Sequence, residues 1–487
     1  MVCCATAQQT GMTTLYVKPS SSNTGEHYAT IDSHSSVTKG LCGTSKSSPC
    51  ADVSTALTSF QNQFPAATYK GTYPPLTLLL LPGTYQGYGN SNFDIYGFNL
   101  TVLPAQANSV VTFSPNVYGS QSLFTLNDMF AQKPLDPANT HSRLYVSGLI
   151  VNNLNSMFGS FLGVEVGIST FYGLIENIQF SNSNVGGGVI GATNTYNTSI
   201  VIDTINCTFV NIEAGSSGVF SAIGSDINIH SSVFRECNGT SVHSLNANIL
   251  VDSCLFADCP GIQGTNGGGI YADTSNVTVS NSQFINCYGE NGGAIYYQMN
   301  PRDIIANLPE QLTVQSCQFS YNVANTTGAD ICIVGNSAGK SMITINDCTF
   351  EGGRLLRPSA VGGSIFIQDT DFSVSDSSVL NATGSAVVIN SAPGTFQNVS
   401  ILHSTMATEG GALLINGTKM HISNSDISYN SASSFGGSIF CQMSSVIITD
   451  TQFTGNTDQG GKIDSLYCQS SSPCDFTIDN TVYSICA

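Results

Sequence analysis

One short phrase recurs along the chain from Ile150 to Phe453: a turn residue, a small residue, any residue, then an aromatic or aliphatic one. Its core positions are Ile150, Phe180, Phe209, Phe234, Phe256, Phe284, Phe319, Phe350, Val379, Ile401, Ile427 and Phe453. Three residues before each stands Ser147, Asn177, Asn206, Ser231, Ser253, Asn281, Ser316, Asp347, Asp376, Asn398, Asn424 or Asp450, always Asn, Ser or Asp. The spacing runs from 22 residues (Phe234 to Phe256) to 35 (Phe284 to Phe319). Self-similarity at this period marks a solenoid, because each unit buries its apolar face only by stacking on its neighbours. Within each phrase the apolar period is two, as in Ser280-Asn281-Ser282-Gln283-Phe284, which indicates strand and not helix.

A second phrase of small residues and a branched one answers the first, as Gly267-Gly268-Gly269-Ile270, Gly292-Gly293-Ala294-Ile295, Gly436-Gly437-Ser438-Ile439 and Gly460-Gly461-Lys462-Ile463, with Gly328-Ala329-Asp330-Ile331 as a degenerate copy. One unit is therefore expected to hold two strands and two turns. Leucine at fixed offsets and amphipathic helix pairs are both missing, which excludes leucine-rich, ankyrin and tetratricopeptide arrays. The expected fold is all-β, a right-handed parallel β-helix solenoid of about twelve or more coils. In it the Asn/Ser/Asp column sits at a turn, where such side chains bond the local backbone and accept left-handed conformations.

Before the repeat, Val53, Ala56, Leu57 and Phe60 fall on one helical face, ahead of a buried strand from Leu76 that ends at Pro82-Gly83. This predicts a short N-terminal capping helix over residues 46–62, covering the open edge of the first coil. The domain reading is an N-terminal segment with the cap over 1–75, a β-helix over 76–465 and a C-terminal cap over 466–487. The cap, the strand with Pro82-Gly83-Thr84-Tyr85 and the long repeat resemble the pectin-lyase-like superfamily of right-handed parallel β-helices. Phe319-Ser320-Tyr321-Asn322, Ile427-Ser428-Tyr429-Asn430, Phe453-Thr454-Gly455-Asn456 and Gly292-Gly293-Ala294-Ile295 resemble the F-x-x-N and G-G-A-I repeats of chlamydial polymorphic outer membrane proteins. Similar repeats occur in secreted and surface proteins of amoebae and other protists. The resemblance implies a fold; the barrel that displays the chlamydial proteins has no counterpart here.

Charged residues are 9% of the chain, yet 13 basic against 31 acidic residues leave a net charge of −18. With no basic stripe, nucleic-acid and anionic-membrane partners are disfavoured. Nine N-x-Ser/Thr sequons, at Asn99, Asn197, Asn206, Asn238, Asn276, Asn325, Asn381, Asn398 and Asn416, and 16 cysteines favour an extracellular or cell-surface setting. The opening Met1-Val2-Cys3-Cys4-Ala5-Thr6-Ala7-Gln8-Gln9 has neither basic nor apolar signal character, so an incomplete start is expected. No stretch is apolar enough for a transmembrane segment. Disulfide candidates are Cys42 with Cys50, Cys468 with Cys474, and the inter-coil neighbours Cys237, Cys259 and Cys287, and Cys317 with Cys348. Coils about 4.8 Å apart bring such pairs within bonding range, although buried thiols acting as small hydrophobes would suit the same positions. No metal site follows from these spacings.

For catalysis, glycoside hydrolysis needs two carboxylates set at a fixed separation, and a lyase needs carboxylates for Ca²⁺ and a basic side chain. Asp347 and Asp376 share a column, and Arg354 and Arg357 are the close pair of arginines. The column is filled elsewhere by Asn and Ser, so turn geometry accounts for the aspartates. Of the Asn-Thr-Asp, Asp-Asp, Gly-His-Gly and Arg-x-Lys motifs of the pectin-cleaving hydrolases, Asn-Thr-Asp alone occurs, as Asn456-Thr457-Asp458 starting on the asparagine of the last F-x-x-N phrase, and the other three are absent. Tyr271, Tyr296 and Tyr297, on successive second strands, suggest a short aromatic ladder. The expected function is a non-catalytic secreted or cell-surface β-helix acting in adhesion or in binding an extracellular glycan or protein through its lateral surface, without a cofactor. The alternatives are a polysaccharide lyase or glycoside hydrolase, for which Ca²⁺ would be added, and a purely structural extracellular rod.

Overall fold

The structure is a computed structural model describing residues 12–19, 41–64, 72–115, 122–128, 140–156, 160–194, 198–261, 264–299, 311–336, 342–357, 362–459, 466–469, 474–479 and 481–483. The opening nonapeptide, the phrase at 460–463, Asn197 and Cys486 lie outside the described residues. The chain is a right-handed parallel β-helix with a single α-helix among the described residues. It forms two compact units, Met1–Glu213 with Ile223–Asn228, and Ala214–Ala222 with Ile229–Ala487.

Each coil has three strands, not the two that the sequence pattern suggests. In the second unit the coil that begins at Asn276–Ser280 turns into Gln283–Ile285 and then reaches Ile295–Gln298. These pair in register with Gln311–Gln315, Gln318–Ser320 and Ile331–Val334 of the next coil. We call the three stacks the first, second and third sheets. The stretch Ser280 to Phe284 is thus two strands meeting at a corner, because Asn281 has φ 50° and breaks the extended backbone. Every turn-column residue from Asn177 to Asp450 has φ between 47° and 56°. The first copy is displaced by one: Gly148 holds the left-handed corner at φ 71°, so Val151, not Ile150, is the buried residue aligned with Phe180.

The residue after each corner explains why small donors are needed there. Ser282 Oγ donates to the carbonyl of Ser280 at 2.7 Å and accepts the amide of Cys254, one coil earlier, at 3.1 Å. Ser377 and Ser425 repeat both bonds. The corner after the second sheet uses asparagine: Asn430 Nδ2 donates to the Ser428 carbonyl, while its Oδ1 accepts the Ser404 amide at 2.9 Å. This is the physical content of the F-x-x-N phrase, and Asn322, Asn430 and Asn456 are wholly buried. Ser444 serves the third corner in the same way. Buried backbone groups are thus satisfied coil by coil.

Inside the coils the phenylalanine column stacks. Ring centroids of Phe234, Phe256, Phe284, Phe319 and Phe350 are 4.7 to 5.0 Å apart in sequence, with planes nearly parallel. Glycine is required where the chain swings from the second sheet to the third: Gly292 has φ 59°, and a Cβ there would collide with the Ile295 carbonyl.

In the first unit the helix Val53–Gln61 buries Val53, Ala56, Leu57 and Phe60, with Asp52 accepting the Thr55 amide at 2.7 Å as its N-cap. The N-terminal segment also supplies a strand, Thr13–Val17, paired in parallel with Leu76–Leu80. At the far end of the second unit Leu466–Cys468 continues the third sheet, Asp475–Ile478 continues the first, and Thr481–Tyr483 pairs back antiparallel.

Candidate functional site

Asp347 and Asp376 are neighbours at one corner of successive coils. Both are left-handed corner residues, at φ 53° and 51°. Asp347 Oδ2 accepts from Ser316 Oγ at 2.8 Å, and Asp376 accepts from Asn346 and Asn398. Arg354 is exposed on a short strand, Arg354–Leu355, of a side sheet with Val323–Thr327 and Tyr288–Asn291. Arg357 pairs with Glu290 at 2.8 Å, and Asn325 Nδ2 donates to the same carboxylate at 2.6 Å. Asn206, Asn238, Asn381 and Asn398 are exposed, while Asn99, Asn276, Asn325 and Asn416 are half-buried.

Cysteine positions follow the corner chemistry. Cys42 and Cys50 are disulfide-bonded, with Cα atoms 5.1 Å apart. Cys474 is joined to Cys441 and not to Cys468, because the strand Leu466–Cys468 lies in register beside Ile439–Gln442 and holds Cys468 as a buried thiol. Cys237, Cys259, Cys287, Cys317 and Cys348 are also buried thiols. They occupy the donor seats that Ser and Asn fill elsewhere: Cys317 and Cys348 each donate to the carbonyl two residues back at 3.1 Å. Burial pushes the Cys207, Cys254 and Cys332 thiols up to about 12, so these stay protonated. Among the described residues no cluster of three or more His, Cys, Asp or Glu is placed to hold a metal.

What the fold does bring together is the outer face of the third sheet in the second unit. One row there is His243, Tyr271, Tyr296, Cys332, Phe366, Val388, Leu414, Phe440 and Tyr467, in register from coil to coil. Tyr296, Cys332, Phe366 and Val388 pack as a second apolar cluster outside the coil. The neighbouring row runs Leu245, Asp273, Gln298, Val334, Gln368, Asn390, Asn416 and Gln442, polar except at Leu245 and Val334.

The two rows are linked where the face is half-exposed. The rings of His243 and Tyr271 are 4.9 Å apart, and Tyr271 and Tyr296 stack at 5.5 Å. Gln298 Nε2 donates to the Tyr271 hydroxyl at 2.8 Å and to Asp273 Oδ2 at 2.7 Å, and its Oε1 accepts from the Tyr296 hydroxyl at 3.0 Å. Burial lowers the His243 pKa against the pull of Asp273, so the ring is neutral at neutral pH. Burial and Asp273 raise that of Tyr271. Tyr297 does not join this ladder. It points into the coil and donates to the Ser275 carbonyl at 2.8 Å. An open groove of about 610 Å³ lies nearer the end of the unit, with Lys419, Met443, Ser445 and Asp475 in its lining.

The first unit carries a polar outer face on its first sheet. Tyr145 donates to Glu176 Oε2 and Tyr172 to Asp203 Oδ2, both at 2.7 Å, with Arg143 in register beside Tyr172. Asn228 Nδ2 also donates to Asp203 at 2.7 Å. Sequence reasoning missed this group and Asp330, which is fully buried. For Asp330 the signal was present, since a charged residue stands where Ala294, Ser364 and Ala412 fill the same inward column.

No curated protein matches this chain. Among solved structures, the bacteriophage CBA120 tailspike protein 3 is similar at 12% identity and a TM-score of 0.32, over 88% of this chain and 59% of the tailspike, so the chain spans less than two thirds of that protein. The A-module of the Azotobacter vinelandii mannuronan C-5 epimerase AlgE4 is similar at 11% identity and a TM-score of 0.26, over 86% of this chain and 96% of the module. A mannuronic acid specific polysaccharide family 6 lyase from human gut microbiota is similar at 10% identity and a TM-score of 0.17, over 82% of this chain and 80% of the lyase. The family model described as a right handed beta helix region matches residues 188–367, a stretch that includes the stacked phenylalanines from Phe234 to Phe350.

Proposed function

We propose that this chain is a non-catalytic binding solenoid that takes a glycan along the outer face of the third sheet in its second unit. The observation that carries the reading is the side-chain amide row. Gln368, Asn390, Asn416 and Gln442 repeat donors and acceptors on four successive strands of one sheet, with Gln298 two coils before Gln368 beyond Val334, beside a wall of aromatic and aliphatic side chains. Neighbouring strands are about 4.8 Å apart, so the row offers regularly spaced hydrogen bonds to the hydroxyls of a polymer, and a flanking apolar wall suits sugar C–H faces. The disulfides at Cys42–Cys50 and Cys441–Cys474 support an extracellular or surface setting.

The test is affinity electrophoresis of the purified chain through gels containing neutral or acidic polysaccharides. Retardation by one of them that weakens roughly tenfold in Gln298→Ala or Gln368→Ala supports the reading, since one lost hydrogen bond is worth about 1 kcal/mol and a buried partner left unpaired costs more. Equal retardation of wild type and both variants, or none with any polysaccharide, contradicts it.

A second reading, glycoside hydrolysis, draws on Glu176 and Asp203. They stand diagonally on adjacent strands of one face, with Cα atoms about 8 Å apart by strand geometry, and hydrolysis would need two such carboxylates facing one bond. Each already accepts a tyrosine hydroxyl, which favours a role in bracing the sheet.

A further inference from the structure

The inward position before each third-sheet strand is small in most coils, yet in one coil it is Asp330, whose residue surface is 0% exposed. Its Oδ1 accepts from Asn322 Nδ2 at 2.8 Å. Asn322 is itself buried and reaches back one coil, donating to the Phe284 carbonyl at 3.1 Å and accepting the Cys287 amide at 2.8 Å. One coil forward, the Asp330 amide donates to the Ser364 carbonyl at 3.0 Å. Asp330 Oδ2 and Ser364 Oγ are both buried without an aligned hydrogen bond. They face Gly353, where a Cβ would lie 2.7 Å from Oδ2 and 2.6 Å from Oγ, so glycine leaves room for them. The corner seat held by Gly353 is the one that Asn322 and Asn430 fill in other coils.

We propose that Asp330 is kept as a neutral acid inside the second unit and acts as a pH-sensitive tie between three successive coils. A proton on Oδ2 gives the carboxyl a donor of its own toward the Ser364 hydroxyl, and with Asn322 it closes a bridge from Phe284 to Ser364. Ionisation removes that donor and places a charge in the coil interior that no cation offsets. The groups packed against the carboxyl, Asn322, Gly353, Gly363 and Ser364, do not titrate. On the surrounding elements the titratable or charged side chains are Cys287, Tyr288, Glu290, Tyr321, Cys332, Glu351, Arg354 and Arg357, with Glu290 and Arg357 paired to each other and Arg354 exposed. Burial raises the carboxyl to about 7, opposed only by hydrogen bonding from Asn322 and by the Ser364 hydroxyl beside it. Because the folded value lies above the ordinary one, the stabilisation is complete below about pH 4 and is lost as pH rises to about 7. The excursion between Asn322 and Asp330 carries the strand Val323–Thr327 of the side sheet, so this sheet loosens with the tie.

The experiment is thermal melting of the full chain from pH 4 to 8, for wild type, Asp330→Asn and Asp330→Ser, the last placing at this position the residue that Ser364 and Ser438 supply in other coils. The expected result is a wild-type Tm that falls by roughly 5 °C or more between pH 5 and 7.5, with the fall abolished in whichever variant folds. A wild-type Tm that does not fall over this range overturns the proposal, and so does an equal fall in a folded variant. As a check that needs no variant, the ¹³C-carboxyl titration of labelled wild-type protein must contain a resonance with its midpoint near 7, and its absence is equally decisive against the tie.

Discussion

Aspartates in this chain differ in what their surroundings make of the charge. Asp347 sits on a corner, where the left-handed backbone costs an ordinary side chain about 1–2 kcal/mol and Asn, Asp or Gly much less. Asp347→Ala is therefore expected to cost about 1 kcal/mol by chemical denaturation, while Asp347→Asn and Asp347→Gly stay near wild type; a Gly variant as damaged as Ala would refute the corner account. Asp128 is the opposite case to Asp330. It is buried, which by itself would raise its pKa, but bonds from the Ser169 hydroxyl and the amides of Gly167, Ile168 and Ser169 hold it below the usual carboxylate value. A lowered folded value means stability present above about pH 4 and lost on acidification. Asp128→Asn is expected to lose about 1–3 kcal/mol at pH 7 and to show a shallower acid transition than wild type. An unchanged acid limb would count against it.

A coil is stabilised by stacking on the coils before and after it, so the same substitution has different consequences along the column. Phe284→Ala, between the rings of Phe256 and Phe319, is expected to cost about 3–5 kcal/mol by denaturant melting. Phe453→Ala is expected to cost clearly less, because Phe453 is half-buried; equal losses would contradict stacking as the source. Much of the element pattern was legible in the sequence. Corner residues from Asn177 to Asp450, the phenylalanine column and the helix after Asp52 all follow from local chemistry that a side chain announces by its type. The third strand of each coil was not, since Asn276–Ser280 and Gln283–Ile285 read as one run until Asn281 is known to turn left-handed. The cysteines were ambiguous for the same reason: a thiol fills a serine's donor seat, and residue type does not say whether it faces a carbonyl or another sulfur. The outer face of the third sheet was half visible, as Tyr271 and Tyr296, but its partners Asp273, Gln298 and His243 are gathered by inter-coil register alone.

At the scale of the whole molecule, two disulfides stand beside nine buried thiols among the described residues. Alkylation in denaturant without reductant is expected to label Cys237, Cys259, Cys287, Cys317, Cys348 and Cys468 and to spare Cys42, Cys50, Cys441 and Cys474 until reductant is added, as read by peptide mass spectrometry; protection of Cys317 with Cys348 would show an inter-coil bond instead. Function is a separate matter, because one scaffold hosts binding and chemistry alike. Under the proposed function this solenoid holds a glycan without cleaving it. Incubating the purified chain with acidic and neutral polysaccharides, with and without Ca²⁺, while following bound polymer, new reducing ends and unsaturated products together, separates holding from cleavage. Retention of a polysaccharide with no new ends and no ultraviolet-absorbing product is expected. Turnover that disappears in Glu176→Gln or Asp203→Asn would contradict it and make the first unit's tyrosine–carboxylate face a catalytic site.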